Sequence, residues 1–131
     1  MAATVLTTVG KGLVTGFLTG IGSPVVPVYC AIGSGSTTAT VADTTLTTEY
    51  TTGTWTGYAR VSGTPTRQTT SVTNDTAQWV ASWTAGASQT VAEAGNLTLA
   101  TSGLLFVHGN FTGVALSSGD SIQVTITCQF T

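Results

Sequence analysis

From Ser121 to Phe130 apolar and polar residues alternate without a break: Ile122, Val124, Ile126, Cys128 and Phe130 against Ser121, Gln123, Thr125, Thr127 and Gln129. Successive side chains of a strand project to opposite faces, so this pattern predicts a strand with one buried face. The same period recurs over Thr76–Thr84, where Trp79, Ala81 and Trp83 oppose Gln78, Val80 and Ser82, and over Val28–Ile32, where Val28, Cys30 and Ile32 share a side. Further strands are expected at Gln89–Glu93, Leu97–Ala100 and Leu104–Phe111, with turns at Ala94-Gly95-Asn96 and Thr101-Ser102-Gly103 between them. Ser118-Gly119-Asp120 supplies the turn before the last strand.

Only one segment carries the longer period of a helix. Val9, Leu13 and Phe17 recur every four residues with Val14, Leu18 and Ile21 alongside, which predicts a short amphipathic helix at about 8–21, capped by Thr7 or Thr8. Gly10, Gly12, Gly16 and Gly20 each cost about 1 kcal/mol relative to alanine, so the helix must rely on packing. The uncharged run from Gly12 to Ile32 superficially resembles a signal peptide or a membrane span. Pro24 and Pro27 break it into helix, turn and strand, and Tyr29 before Cys30 is too large for a lipoprotein cleavage site. No membrane partner is expected.

Together these elements predict one mainly β domain over residues 1–131: an antiparallel β-sandwich or a jelly-roll-like barrel with one short N-terminal helix. Residues 51–76 read as a Thr-rich hairpin or extended arm, in which Trp55, Tyr58 and Val61 are the few large anchors. The expected core comprises Val28, Cys30, Ile32, Trp79, Trp83, Ile122, Val124, Ile126 and Phe130. The expected interaction surface comprises Trp55, Tyr58, Arg60 and Arg67.

Composition then narrows the function. Thr accounts for 30 residues and Gly for 16, whereas only 8 are Lys, Arg, Asp or Glu. That charged fraction is far below the roughly 25% of ordinary domains. Threonine is β-branched and suits a half-buried pleated surface, so the strands gain a polar but uncharged face. A net charge of −2 gives little self-repulsion, which fits a life in an assembly. With Lys11, Arg60 and Arg67 the only permanent cations, no basic stripe exists to neutralise phosphates, and nucleic acid is not an expected partner.

Candidate chemistry is sparse. His108, the single histidine, alternates with Leu104 and Phe106 in an expected strand, where a structural or surface role outweighs catalysis. No G-x-S-x-G elbow accompanies the serines, so a Ser-His-Asp set drawn through Asp120 has nothing to support it. Asp43, Glu49, Asp75, Glu93 and Asp120 are scattered singly; each is expected to fix a turn or meet one of the few cations, and no metal or cofactor is expected. Gly20-Ile21-Gly22 and Gly33-Ser34-Gly35 read as turns rather than dinucleotide fingerprints. Cys30 and Cys128 lie on apolar strand faces, compatible with a disulfide or with two buried thiols; thiols are expected if assembly is intracellular. The sequons at Asn74, Asn96 and Asn110 are what chance places in so Thr-rich a chain.

Short motifs follow one another in an informative order. Leu6-Thr7-Thr8-Val9-Gly10-Lys11 leads into Leu13-Val14-Thr15; Ala31-Ile32-Gly33-Ser34-Gly35 and Thr44-Thr45-Leu46-Thr47-Thr48-Glu49 follow, then Thr73-Asn74-Asp75-Thr76 and Glu93-Ala94-Gly95. Gly103-Leu104-Leu105-Phe106, Phe111, Leu116 and Gly119-Asp120-Ser121-Ile122 complete the series. In this order they resemble a group of small bacteriophage virion proteins encoded among head and tail structural proteins, with Asn96-Leu97 and His108 as local departures. The resemblance implies a non-enzymatic virion component on the capsid surface, made in the host cytoplasm. It would be a decoration or cement protein whose partners are the phage major capsid protein and copies of itself, in a homotrimer. The rival expectation is a tail or head-fibre module that binds host-surface glycan through exposed aromatic residues.

Overall fold

The computed structural model describes residues 4–131, as eight strands and one helix in the order β1 (Thr4–Leu6), α1 (Thr8–Thr19), β2 (Tyr29–Gly33), β3 (Val61–Ser62), β4 (Thr64–Gln68), β5 (Thr76–Thr84), β6 (Gln89–Leu97), β7 (Leu105–Leu116) and β8 (Ser121–Gln129). They form two separate antiparallel sheets, β1-β7-β6-β2-β3 and β4-β5-β8, with one core cluster between them. Each sheet keeps two edges, so the architecture is a β-sandwich and not a closed barrel.

Alternation produces β5 and β8 as expected. They pair along their whole length, from Thr76 opposite Gln129 to Thr84 opposite Ser121, which sets Trp79 against Ile126, Ala81 against Val124 and Trp83 against Ile122. These rows face Ile32, Val91 and Phe106 of the larger sheet, and Trp79 meets Phe106 edge to face at 5.7 Å. Burying a side chain such as Ile126 contributes about 1.5–3 kcal/mol. Three expected core residues depart from this. Ile122 and Val28 are half-buried: Ile122 is the second residue of β8 and lines an open cleft, and Val28 precedes β2. Phe130 follows the last residue of β8 and is 46% exposed.

The larger sheet is covered on both faces. Ala31, Leu46, Leu97 and Leu105 form a second apolar cluster, and Leu46 belongs to the long loop 34–48. This explains why β6 is buried from Val91 to Leu97 rather than alternating. It also overturns the turn expected at Ala94-Gly95-Asn96: β6 runs through it without interruption. Gly95 is required because a Cβ would stand 2.7 Å from the Val107 carbonyl and 2.9 Å from Leu46. Asn96 replaces ladder bonds at a register shift: its Nδ2 donates to Pro27 O at 2.9 Å and its Oδ1 accepts from Val107 N. The strand expected at Leu97–Ala100 is therefore the end of β6 and a turn that continues through Ser102.

Thr7 caps α1, its Oγ1 accepting from Gly10 N at 2.8 Å and donating to Leu105 O at 2.6 Å. Gly10 lets the helix rest on β7, where a Cβ would collide with the Phe106 carbonyl. Gly20, at φ +70°, ends the helix by donating its N–H to Gly16 O, so Ile21 lies outside it. No described helix is long and apolar enough to cross a membrane.

Candidate interaction surfaces

The residues expected to form the surface are mostly inside. Trp55 is 1% and Tyr58 8% exposed, and with Tyr50 they form an aromatic cluster with ring centroids 4.9–6.3 Å apart. Trp55 Nε1 donates to Thr84 O, and the Tyr58 hydroxyl accepts from Ile32 N and lies 3.0 Å from Glu49 Oε1. Turns at Thr51–Gly57 carry these rings inward; polar threonines around an aromatic residue say nothing about which way the turn folds. Arg60 is half-buried and makes a bidentate pair with Glu49, both bonds 2.8 Å, while its Nη1 donates to the Leu99 and Ser102 carbonyls. Of the four residues only Arg67 is exposed, on β4.

Residues 51–76 are accordingly no free arm. After the aromatic cluster the chain enters the larger sheet as β3, crosses at Gly63 and enters the smaller sheet as β4. Gly63 is needed at the crossing because a Cβ would stand 2.6 Å from Cys30 Sγ. Asp75 then gathers the N–H groups of Thr70, Ser71 and Val72, and these bonds hold its carboxyl well below the ordinary range. Cys30 and Cys128 are both free and buried; burial pushes their thiols up to about 12 and about 11.

Loop 34–48 is fastened by a cluster that the sequence does not announce. His108, fully buried, directs Nδ1 to Asp43 Oδ2 at 2.7 Å and Nε2 to Glu93 Oε2 at 2.8 Å. Glu93, also fully buried, accepts from the backbone N–H groups of Gly35, Thr47 and Thr48. Desolvation opposes ionisation of all three groups. Hydrogen bonds between histidine and carboxylates, with the backbone donors, more than offset it: Asp43 and Glu93 are lowered and His108 is raised. The only available signals were two glycines read as turn residues: a Cβ at Gly33 or Gly35 would come within 2.5 Å of Glu93 Oε1. Both ring nitrogens of His108 are engaged and the ring is closed to solvent, so it cannot take a proton from a substrate in this conformation. No group of three His, Cys, Asp or Glu among the described residues could hold a metal.

Two grooves among the described residues are lined without charge. A groove of about 390 Å³ beside α1 is lined by Val14, Phe17, Leu18, Val26, Pro27, Ala77, Trp79, Phe106 and Phe130, none of them polar on the groove side. Phe17 and Phe130 are 46% and Leu18 81% exposed. A cleft of about 690 Å³ separates β8 from the second half of β7 and is lined by Phe111, Val114, Ile122 and Val124 with Thr112, Gln123 and Thr125. Neither lining contains a charged residue.

These features define a two-sheet β-sandwich with most of its few ionic groups engaged within the fold and with two grooves lined by uncharged residues. Comparison with protein-family models, curated proteins and solved structures finds no match to this chain.

Proposed function

We propose that the protein is a non-enzymatic structural component of a phage virion, a decoration protein that binds the assembled head and stabilises it, as a homotrimer on the capsid surface. The observation that carries the assembly half of this reading is the groove beside α1. Large apolar side chains left open around an entirely apolar floor are a feature of protein-binding surfaces rather than of isolated monomers. The order of motifs from Leu6 to Ile122, which resembles small phage virion proteins, supplies the head as the partner. A closed oligomer suits the symmetry axes of an icosahedral shell.

Such a contact would be neutral and would survive salt, unlike charge-steered binding, which is screened over about 10 Å at 0.1 M. The glycan-binding alternative loses the residues on which it rested, since Trp55 and Tyr58 lie in the core. The test is cosedimentation of purified protein with phage heads that lack it, at 0.1 M and 1 M salt, with electron microscopy of the product. Saturable binding at regular head positions at both salt concentrations is expected. Release at 1 M salt, or binding to tails alone, would overturn the reading.

A further inference from the structure

Loop 34–48 is held at two levels. Its ends converge on Glu93, which accepts from the N–H groups of Gly35, Thr47 and Thr48, and they are closed by Ser34 N donating to Thr48 O at 3.0 Å. Its tip, residues 39–43, is held separately. Ala39 N donates to Asn110 Oδ1 at 2.6 Å, and the Val41 carbonyl accepts from Thr8 N at 2.7 Å, a first-turn donor of α1 that has no partner within the helix. Asp43 Oδ2 accepts from Thr40 N and meets His108 Nδ1. Thr40, Val41 and Ala42 are exposed, so the tip buries little and depends on these polar contacts.

Both ring nitrogens of His108 face carboxylate oxygens, and each contact needs a proton on the nitrogen. Imidazolium supplies two N–H donors; neutral imidazole supplies one and turns a lone pair toward the other carboxylate. With the ring closed to solvent, that lone pair would face an unpaired charge, which burial makes strongly unfavourable. The two carboxylates differ in their means of escape. Glu93 is fully buried and carries three backbone donors, whereas the Asp43 side chain is 25% exposed and stands beside the open tip. The last ring proton therefore stays on Nε2 for Glu93, and Asp43 is the group that leaves. No other residue of β1, β6, β7 or loop 34–48 carries a titratable side chain. On β2, Gly33 lies opposite Glu93, while Tyr29 and Cys30 stand at the far end of the strand. Glu49, bridged to Gly33, is paired with Arg60. Tyr50, which acts on Glu93, keeps its proton because burial raises its pKa, and Lys11 of α1 is exposed.

We propose that residues 39–43 form a proton-operated latch: loss of one proton from His108 releases Asp43, and with it the tip of the loop from α1 and β7, while the ends of the loop stay on Glu93. Burial opposes the charge on His108, but its bonds to Glu93 and Asp43 prevail and hold its pKa above the ordinary 6.5. The latch is therefore closed at and below that pH and opens as pH rises through the folded pKa. The opening is local. Leu46 remains in its apolar cluster, and the β6–β7 ladder has no member in the tip. Release of Val41 leaves Thr8 N to water, so the first turn of α1 loosens with the tip. The latch belongs to the isolated chain and does not depend on the virion reading.

The test follows the ring and the backbone of the intact protein together, by nitrogen NMR of His108 and amide exchange corrected for intrinsic rate, from about pH 6 to about pH 9. As the ring loses a proton, protection at Thr8, Ala39 and Thr40 should fall by roughly tenfold or more, while Gly35, Thr47, Thr48 and the β6–β7 ladder change less than about twofold. The neutral ring should carry its proton on Nε2. In Asp43→Asn the side-chain amide accepts from a protonated Nδ1 and donates to an unprotonated one, so the ring should titrate with no step in tip protection. Asn110→Ala, which removes a tip contact that does not titrate, should lower protection at Ala39 at every pH and keep the step. Three results would overturn the proposal: a step that persists in Asp43→Asn, amides held by Glu93 opening together with the tip, or a neutral ring protonated on Nδ1. A ring that keeps both protons to about pH 9, or one that titrates with the tip unchanged, would overturn it as well.

Discussion

The two sheets handle exposure in opposite ways. The five-stranded sheet is closed on its outer face by loop 34–48, which is pinned through Asp43, His108 and Glu93, and its central strand is buried almost throughout. The three-stranded sheet has no such cover among the described residues: β8 alternates between buried and open positions, and the outward residues are Ser, Gln and Thr. Of the charged residues, Asp43, Glu49, Arg60 and Glu93 serve the interior of the first arrangement, and Asp75 and Asp120 close turns. Six of the eight charged residues thus fasten the chain to itself, while Lys11 and Arg67 are exposed. The surface left for neighbours is sparsely charged, and neutral contacts are insensitive to salt.

The comparison can be broken most forcefully at Glu93. Replacing it by alanine strands a charged His108 and three backbone N–H groups, so Glu93→Ala is expected to cost about 3–5 kcal/mol in chemical denaturation. Loop 34–48 should exchange its amides fastest in that variant. Trp55→Ala should cost a similar 3–5 kcal/mol, since the ring fills the end of the core; an unchanged stability would return Trp55 to the surface.

A subtler probe is pH. His108 is raised above its ordinary 6.5, so its contribution is complete below that value and is lost as pH rises through the folded pKa. Asp43 and Glu93 are lowered from 3.8 and 4.5, so their contributions are complete above those values and lost as pH falls through the folded pKa values. Stability measured across pH should thus be flat between about 5 and 6.5, and the decline between about 6.5 and 8 should disappear in His108→Gln, while a further decline above the ordinary thiol range, where Cys30 and Cys128 ionise in the unfolded chain, should remain. The smallest effect belongs to the bare sheet: Ser82→Lys on the open face of β5 should change stability by less than about 0.5 kcal/mol. A larger loss in thermal denaturation would mean that the face is covered.

Strands with one wet face are legible in the sequence pattern. The period of two in β5 and β8 identifies both their elements and their buried rows, because a one-residue slip would turn every apolar side chain to water. β6 escapes the pattern for the complementary reason. A strand covered on both faces has no alternation, and Gly95 and Asn96 are turn residues in most settings. Asp43, Asp75 and Asp120 fix turns and Glu49 meets Arg60, as expected of the acidic residues, but Glu93 does neither, and nothing in the spacing 43, 93 and 108 marks two acids and a histidine as one cluster.

By itself, then, the chain's pattern determined a β domain with a capped helix and a neutral, Thr-covered exterior, since propensity and periodicity act over a few neighbouring residues. Tertiary structure alone decided that Trp55 and Tyr58 turn inward, that Glu93 and His108 meet beneath loop 34–48, and that β6 is covered on both faces. Those outcomes depend on which distant segments are brought together, and burial, partnering and strand-edge position exist only once that packing is made.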